Sequence, residues 1–116
     1  EKQFLFVISI ENENPIGLID LFDFDPINHR AGIGIVIINT HRKKGHALES
    51  VKLIEDISKN DLQIHQLYVN VGVDNKSSLN LFKKLGYLEI GVKKDWNYVN
   101  GRYTDEVLFQ KILSNE

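Results

Sequence analysis

IGIVIINTHRKKGHAL, residues 33–48, is the stretch of sequence that decides the fold. It begins as an apolar strand, passes through a short polar loop and enters a segment whose apolar residues are three or four apart, the period of one buried helical face. That segment includes Ala47, Val51, Ile54 and Ile57, and an alternating run at 66–73 then predicts a further strand. A helix between two strands of one sheet almost always makes a right-handed parallel crossover, so the sequence predicts one over 31–73.

The rest of the chain predicts short strands and a second helix. A polar cluster at 11–15 separates two strand-like runs and predicts a hairpin, and Asn100-Gly101 is the strongest short signal for another. Asp74 and Asn75 can cap a helix that Gly86 ends. The predicted elements are strands 4–10, 16–24, 31–38, 66–73, 88–99 and 102–113, a helix after Lys44 that ends at Asn60, and a helix over 76–85. This order predicts one mixed α/β domain over 1–116, with a mostly antiparallel twisted sheet and the single parallel crossover.

Composition argues against several classes of function. The 116 residues include 42% apolar and 26% charged residues, as in one small globular domain. No cysteine is present, which removes disulfide scaffolds, thiolate zinc sites and cysteine nucleophiles. A formal net charge of -2 gives no overall attraction to phosphate backbones, so we expect no nucleic-acid partner. No histidine pair has metal-ligand spacing with a carboxylate, so we expect no metal.

The length of the apolar runs bears on a membrane location, and the first residue bears on the extent of the domain. The longest apolar runs, 4–8 and 33–38, are too short to cross a bilayer, so we expect a cytoplasmic protein without a membrane partner. The chain begins with Glu1 and contains no methionine, and we therefore expect an N-terminally truncated fragment of a domain.

The loop before the first helix has the layout of a phosphate site. The first turn of a helix carries unpartnered N–H groups and a partial positive charge, so it favours an anion. Gly45 allows close approach of the backbone, and Arg42, Lys43 and Lys44 add positive charge. The alternative is a solvated basic loop before an ordinary helix. Dinucleotide and mononucleotide glycine-rich fingerprints are absent.

Two motifs resemble those of the GNAT N-acetyltransferases. Arg42-x-x-Gly45-x-Ala47 matches the signature between a strand and the long helix of that family, and Asn75-x-x-Ser78 is followed by Phe82-Lys83-Lys84-Leu85-Gly86-Tyr87, which is similar to its second helix end. The resemblance extends from Phe4 onward and is strongest to the branch of spermidine and ribosomal-protein alanine acetyltransferases. It implies a GNAT-like fold whose first elements precede Phe4.

The resemblance also implies a binding site for acetyl-CoA as co-substrate. Backbone groups of Ile35, Val36 and Ile37 would bind the pantetheine arm, and the segment from Arg42 to Leu48 would hold the pyrophosphate. The full set of residues implied for the coenzyme is Ile35, Val36, Ile37, Arg42, Lys43, Lys44, Gly45, His46, Ala47, Leu48, Asn75, Ser78, Leu79, Phe82 and Lys83.

The implied reaction is attack of a neutral primary amine on the thioester carbonyl, with backbone N–H groups stabilising the oxyanion. The family's proton donor is a tyrosine where this chain has Phe82, and an early glutamate of the strand is replaced by Gly32. The catalytic residues therefore stay open, with Tyr87 and Tyr68 as substitutes for the acid and Asp20, Asp23 and Asp25 as candidate bases. Each has a structural alternative, a core aromatic or a solvated carboxylate. The position of Asp25 before a proline is also typical of a turn residue.

Three functions fit the resemblance, two of them enzymes that differ in the amine acceptor. In the first, the acceptor is a small polyamine or diamine such as spermidine, with Asp20 and Asp23 contacting the cationic substrate. These two residues are an odd number apart, so they face opposite sides of a regular strand unless a bulge intervenes. In the second, the acceptor is a protein N-terminus or an aminoglycoside-like amine, and the third is a non-catalytic acyl-CoA-binding module. The C-terminal hairpin with Trp96 and Tyr98 favours a homo-oligomer, because an exposed edge strand is otherwise a liability.

Overall fold

The computed structural model describes residues 2–9, 15–37 and 45–113, with the side chain of Lys2 excepted. The chain divides into two compact units, one formed by residues within 1–67 and 112–116 and the other by Tyr68–Lys111. Six strands and two helices follow one another as β1 (Lys2–Ser9), β2 (Pro15–Asp25), β3 (Arg30–Ile37), α1 (His46–Asn60), β4 (Gln66–Gly72), α2 (Lys76–Lys84), β5 (Leu88–Val99) and β6 (Arg102–Ile112).

The first unit is built on an antiparallel meander. β1 pairs with β2 and β2 with β3, and the pairing brings Leu21 opposite both Phe4 and Ile33. Apolar side chains alternate along these strands, so one face is buried, with Ile19, Leu21 and Ile33 almost inaccessible to solvent. The N-terminal hairpin predicted from the sequence is confirmed, although residues 11–14 of its turn lie outside the described part of the chain.

The beginning of the crossover is visible inside this unit. The carbonyl of His29, just before β3, accepts hydrogen bonds from the N–H groups of His65 at 2.7 Å and Gln66 at 3.3 Å, where β4 starts. The two strands therefore start at the same edge, which is the parallel arrangement that the strand-helix-strand pattern predicts. The fold class is thus a mixed sheet with parallel and antiparallel neighbours, as predicted.

Helix α1 buries the side that its apolar spacing predicts. Val51 and Ile54 are buried, whereas Ala47 and Ile57, which belong to the same predicted face, are only half-buried. Ser58 is completely buried, which the periodicity did not predict because serine is usually solvent-exposed. Neither of the helices described by the structure is long and apolar enough to span a membrane.

In the second unit the strands are ordered β4-β6-β5. The alternation of β4 is confirmed, since Leu67, Val69 and Val71 are buried and the residues that alternate with them are only half-buried. Val73, predicted as the last member of this face, instead lies beyond the strand, because the chain turns at Gly72, whose carbonyl accepts the Asn75 N–H at 2.9 Å.

The caps and turns of the second unit follow the sequence signals. Gly86 follows α2 with φ 90°, a left-handed conformation that glycine adopts without steric cost. Asn100 and Gly101 both have positive φ, as the tight hairpin between β5 and β6 requires. Phe82 and Phe109 are the largest completely buried side chains of this unit.

Candidate active site

The glycine before α1 has the backbone conformation that a strand-to-helix anion site needs. Gly45 is the N-cap residue in the left-handed region, with φ 75°, and its carbonyl accepts the Glu49 N–H at 3.2 Å. A Cβ built there would meet nothing within 4 Å, so the conformation of the backbone, and not the space around it, favours glycine. Glycine has no side chain to cap the first turn, which leaves that role open to a bound anion.

The residues that follow are placed along the first turn, as the sequence predicts. His46, Ala47 and Leu48 begin α1 and are half-buried. Arg42, Lys43 and Lys44, predicted to add positive charge, lie outside the described residues. An open backbone at Gly45 and a helix start without a side-chain cap fit a pyrophosphate.

The three residues predicted for the pantetheine arm form the end of β3. Ile35, Val36 and Ile37 lie opposite Ile19, Leu18 and Gly17 of β2. In an antiparallel pair the backbone groups of successive residues turn alternately toward and away from the partner strand. Either Val36 or its two neighbours can therefore offer N–H and C=O groups away from β2, but all three cannot.

The residues predicted for the far side of the coenzyme lie on α2, in the second unit. Asn75 is the N-cap, and its Oδ1 accepts the Ser78 N–H at 3.2 Å and the Ser77 hydroxyl at 3.3 Å. Ser78 and Leu79 are half-buried and Lys83 is exposed. Phe82 is only 1% exposed, so its ring belongs to the core of the unit.

Tyr87, a candidate proton donor, is buried beside Phe82. It is 3% exposed, and its hydroxyl oxygen is also shielded from solvent. The Lys111 ammonium lies 5.5 Å from the centre of its ring and donates to the Leu85 carbonyl at 2.7 Å. Tyr68, the other candidate, is half-buried on β4.

Gly32, where the resemblance implies a glutamate, is covered by an aromatic ring. Gly32 lies opposite Phe22, and a Cβ at Gly32 would collide with that ring. The space into which a side chain at this position would extend is therefore occupied from the neighbouring strand.

The three aspartates of β2 have different roles. Asp20 accepts a hydrogen bond from the Gln3 side-chain amide at 2.8 Å, across the β1–β2 pair. Asp23 is exposed, with φ 51°, and the pairing register shifts between Phe22 and Asp25. This is the bulge that the odd spacing of Asp20 and Asp23 requires if both are to serve one site.

Asp25 is a turn residue, as its position before a proline predicts. Its carboxylate accepts the N–H groups of Ile27 and Asn28 at 3.0 Å each and the Asn28 side-chain amide at 2.9 Å. These hydrogen bonds, led by that of the Asn28 side chain, lower the pKa of Asp25 below its usual value.

Two of the described histidines, His29 and His65, line the same cavity, where β3 and β4 start. His29 has φ 57°, and its Nδ1 lies 3.2 Å from the Gln63 carbonyl. With His65, Lys59 and others it lines an open cavity of about 600 Å³. Among the described residues no group of three or more metal-ligating side chains is present.

A second cavity, of about 540 Å³, was not predicted. It lies in the second unit, between the loop that joins β4 to α2 and the end of the β5–β6 hairpin. The sequence signal for it is the density of amides and hydroxyls around Asn100-Gly101, a pattern that also favours a turn. The lining residues are Gly72, Val73, Asp74, Asn75, Asn97, Tyr98, Val99, Asn100, Arg102 and Thr104.

Comparison with known proteins identifies one family. The model of the acetyltransferase (GNAT) domain matches residues 1–88. A spermidine N(1)-acetyltransferase of Vibrio cholerae is 32% identical over 100 residues, which cover 86% of this chain and 58% of that protein. A putative ribosomal N-acetyltransferase of Bacillus subtilis is 28% identical over 100 residues, covering 86% and 54%.

Solved structures agree with the fold. The dodecameric structure of spermidine N-acetyltransferase from Vibrio cholerae superposes with a TM-score of 0.91 at 29% identity, covering 97% of this chain and 66% of that chain. The chain spans a little over half the length of the curated relatives named above.

Proposed function

Because the chain belongs to the GNAT acetyltransferase domain family, we propose that the protein transfers an acetyl group from acetyl-CoA to a primary amine, with a polyamine or diamine such as spermidine as the acceptor. In this proposal residues 1–116 belong to one acetyl-CoA-binding domain, and the protein works in the cytoplasm.

The observation that carries the proposal is the start of α1. Gly45, the N-cap residue, is in the left-handed conformation and has no side chain to cap the first turn of α1, the element that follows the strand that would bind the pantetheine arm. An anion there gains backbone hydrogen bonds and the favourable end of the helix dipole. Acetyl-CoA would supply the pyrophosphate at that position and the thioester for the reaction.

The polyamine acceptor is supported by the relatives. Proteins named spermidine N(1)-acetyltransferase match from both Vibrio cholerae and Escherichia coli, at 32% and 28% identity. A protein N-terminus is the second candidate, favoured by the putative ribosomal N-acetyltransferase of Bacillus subtilis. A non-catalytic acyl-CoA-binding module is the third, favoured by Phe82 and Gly32 at positions where the family's catalytic side chains would lie.

The chemistry needs little help at the leaving group. An alkylamine with a reference pKa of about 10.4 must lose a proton before it attacks, whereas a thiol with a reference pKa of about 8.5 leaves readily as its thiolate. Phe82 has no hydroxyl, so we propose that the thiolate of coenzyme A departs without a proton from this position. The base that accepts the amine proton is unassigned, with Asp23 as a candidate.

The test is release of free thiol from acetyl-CoA by the full-length protein with a panel of amines. Spermidine, a short diamine, an aminoglycoside and a peptide with a free N-terminus represent the alternatives. If kcat/KM is highest with the polyamine, the proposal is supported. If it is highest with the peptide, protein N-termini are the acceptors instead. Tight binding of acetyl-CoA without release by any amine would show a binding module.

We also propose that the protein forms a homo-oligomer. Trp96, Tyr98 and Tyr103 are more than half exposed on the β5–β6 hairpin, and a dodecameric spermidine N-acetyltransferase shares the fold. Exposed aromatic side chains of this size are typical of protein contacts. Light scattering of the full-length protein measures the assembly, and a monomer at micromolar concentration would contradict it.

A further inference from the structure

The cavity at the end of the β5–β6 hairpin offers oxygen atoms to a ligand. Its lining residues include one with a carboxylate, Asp74, and two with hydroxyls, Tyr98 and Thr104. Side-chain amides belong to three more of them, Asn75, Asn97 and Asn100. Arg102 is the only lining side chain with a permanent positive charge. Asp74 is exposed, and its carboxylate has no hydrogen bond or ion pair with the residues that the structure describes.

The orientation of the Asn97 amide follows from its neighbour. Asn97 Nδ2 donates to Glu106 Oε2 at 3.2 Å. A carboxylate can only accept, so the nitrogen branch of the amide must face Glu106. The carbonyl branch, Oδ1, is therefore the part of Asn97 that is left for the cavity, where it can accept a hydrogen bond.

Glu106 is itself held in place. Its Oε1 forms a salt bridge with Lys93 Nζ at 3.2 Å, and the two side chains are 16% and 28% exposed. The same ammonium donates to Asn70 Oδ1 at 2.8 Å and lies 4.4 Å from the centre of the Trp96 ring. A partly buried carboxylate with two partners has little freedom to rotate, so it fixes the Asn97 amide in one orientation.

We propose that this cavity binds an ammonium group of the amine acceptor, with Asn97 as a specificity-determining residue and Glu106 as the residue that positions it. The ammonium group donates to Asn97 Oδ1, and the Asp74 carboxylate neutralises its charge. The proposal rests on the proposed function, because Asn75, one of the residues that line the cavity, is assigned by that function to the coenzyme.

This assignment moves the substrate contacts away from β2. Asp20, predicted to contact the cationic substrate, already accepts a hydrogen bond from Gln3, whereas Asp74 has no such partner among the described residues. Arg102 then repels a second positive charge at the rim, so the cavity holds one ammonium group and not the whole of a polyamine.

The experiment is steady-state kinetics of the full-length enzyme, with spermidine and acetyl-CoA varied separately. Asn97→Leu removes the acceptor at similar volume, and we expect the KM for spermidine to rise about tenfold or more while the KM for acetyl-CoA changes less than about twofold. Asp74→Asn, on an exposed loop, gives the same split without risk to folding. Asn80→Leu, on the exposed side of α2 and outside the cavity, is the control and leaves both constants unchanged.

The positioning role has its own readout. Glu106→Leu leaves the Asn97 amide without its acceptor and raises the KM for spermidine, whereas Glu106→Gln keeps a carbonyl acceptor and restores most of the affinity. Equal changes in both KM values, or no change in Asn97→Leu and Asp74→Asn, would overturn the proposal. If no amine gives thiol release, the proposed function fails instead, and calorimetric titration of spermidine into wild-type and Asn97→Leu protein then tests the cavity alone: weaker binding by the variant supports it and equal binding overturns it.

Discussion

The ring of Phe82 meets the ring of Tyr87 edge to face, with centroids 5.0 Å apart and planes at 82°. Both side chains are almost completely buried. Phe82, where the resemblance implies a tyrosine, is therefore part of an aromatic contact in the core of this unit. Two substitutions separate packing from catalysis here.

Tyr87→Phe keeps the ring contact and removes the remaining hydroxyl. We expect kcat for acetyl transfer to stay within about twofold, because a thiolate is a good leaving group and gains little from a general acid. The pH dependence of kcat checks this directly. A fall of about a hundredfold, with loss of the limb of the profile at high pH, would show that Tyr87 donates the proton.

Phe82→Tyr places a hydroxyl in a site that is 1% exposed. We expect the free energy of unfolding to fall by about 1–3 kcal/mol, since a buried hydroxyl without a partner loses its hydration. Denaturant titration measures the change. Unchanged stability would show that the hydroxyl finds an acceptor. A simultaneous rise in kcat would show that the added hydroxyl acts as a general acid.

Gly45→Ala tests the start of α1. The left-handed φ of 75° disfavours a side chain, so we expect a loss of about 1 kcal/mol of stability and a higher KM for acetyl-CoA. Gly91→Ala is the matched control, because a Cβ there also meets nothing within 4 Å and the backbone is not in the left-handed region. Equal effects of the two substitutions would show that the left-handed conformation of Gly45 is not the cause of the loss.

Gly32→Ala should collide with the ring of Phe22. We expect it to cost about 1–3 kcal/mol of unfolding free energy, as overpacking usually does. The same substitution in a Phe22→Leu background should cost less, and the difference is the coupling energy of the pair. Additive effects in this double-mutant cycle would show that Phe22 does not occupy the space above Gly32.

The lowered pKa values of Asp25 and Asp105 predict how the stability of the fold depends on pH. The pKa of Asp25 is lowered chiefly by the Asn28 side chain, and that of Asp105 chiefly by the Asp95 N–H at 2.9 Å. A carboxyl whose pKa is lower in the folded state stabilises the fold fully above its unfolded pKa of about 3.9, and this stabilisation disappears as the pH falls through the folded value. Asp25→Ala should therefore destabilise the protein at neutral pH and lose that effect in acid, as followed by denaturant midpoints. A difference that is constant over this range would contradict the prediction.

Local signals predicted most of the fold. The spacing of Val51 and Ile54, the alternation of Val69 and Val71, and the Asn100-Gly101 turn each depend on a few neighbouring residues, and each is confirmed. The observed ends of some strands differ from the predicted ends by one or two residues. At Val73, for example, a turn ends the strand before the apolar alternation does.

The site was harder to predict because its decisive contacts join residues distant in sequence. The ring of Phe22 over Gly32 could not be deduced from either residue alone. The same is true of the salt bridge of Lys93 with Glu106, which orients Asn97 only after β5 and β6 have paired. The sequence shows only that a bulge is needed if Asp20 and Asp23 are to serve one site. The pairing register of β2 and β3 shows that the bulge is present.

The double hydrogen bond at the His29 carbonyl has a consequence for the order of folding. It joins the start of β3 to the start of β4 only after all of α1 has been enclosed in a long loop, whereas β5 and β6 meet across a two-residue turn. Closing a long loop costs more chain entropy than closing a tight turn, and non-local pairing is correspondingly slow. During refolding, the amide protons of His65 and Gln66 should therefore gain protection from exchange after those of the β5–β6 hairpin.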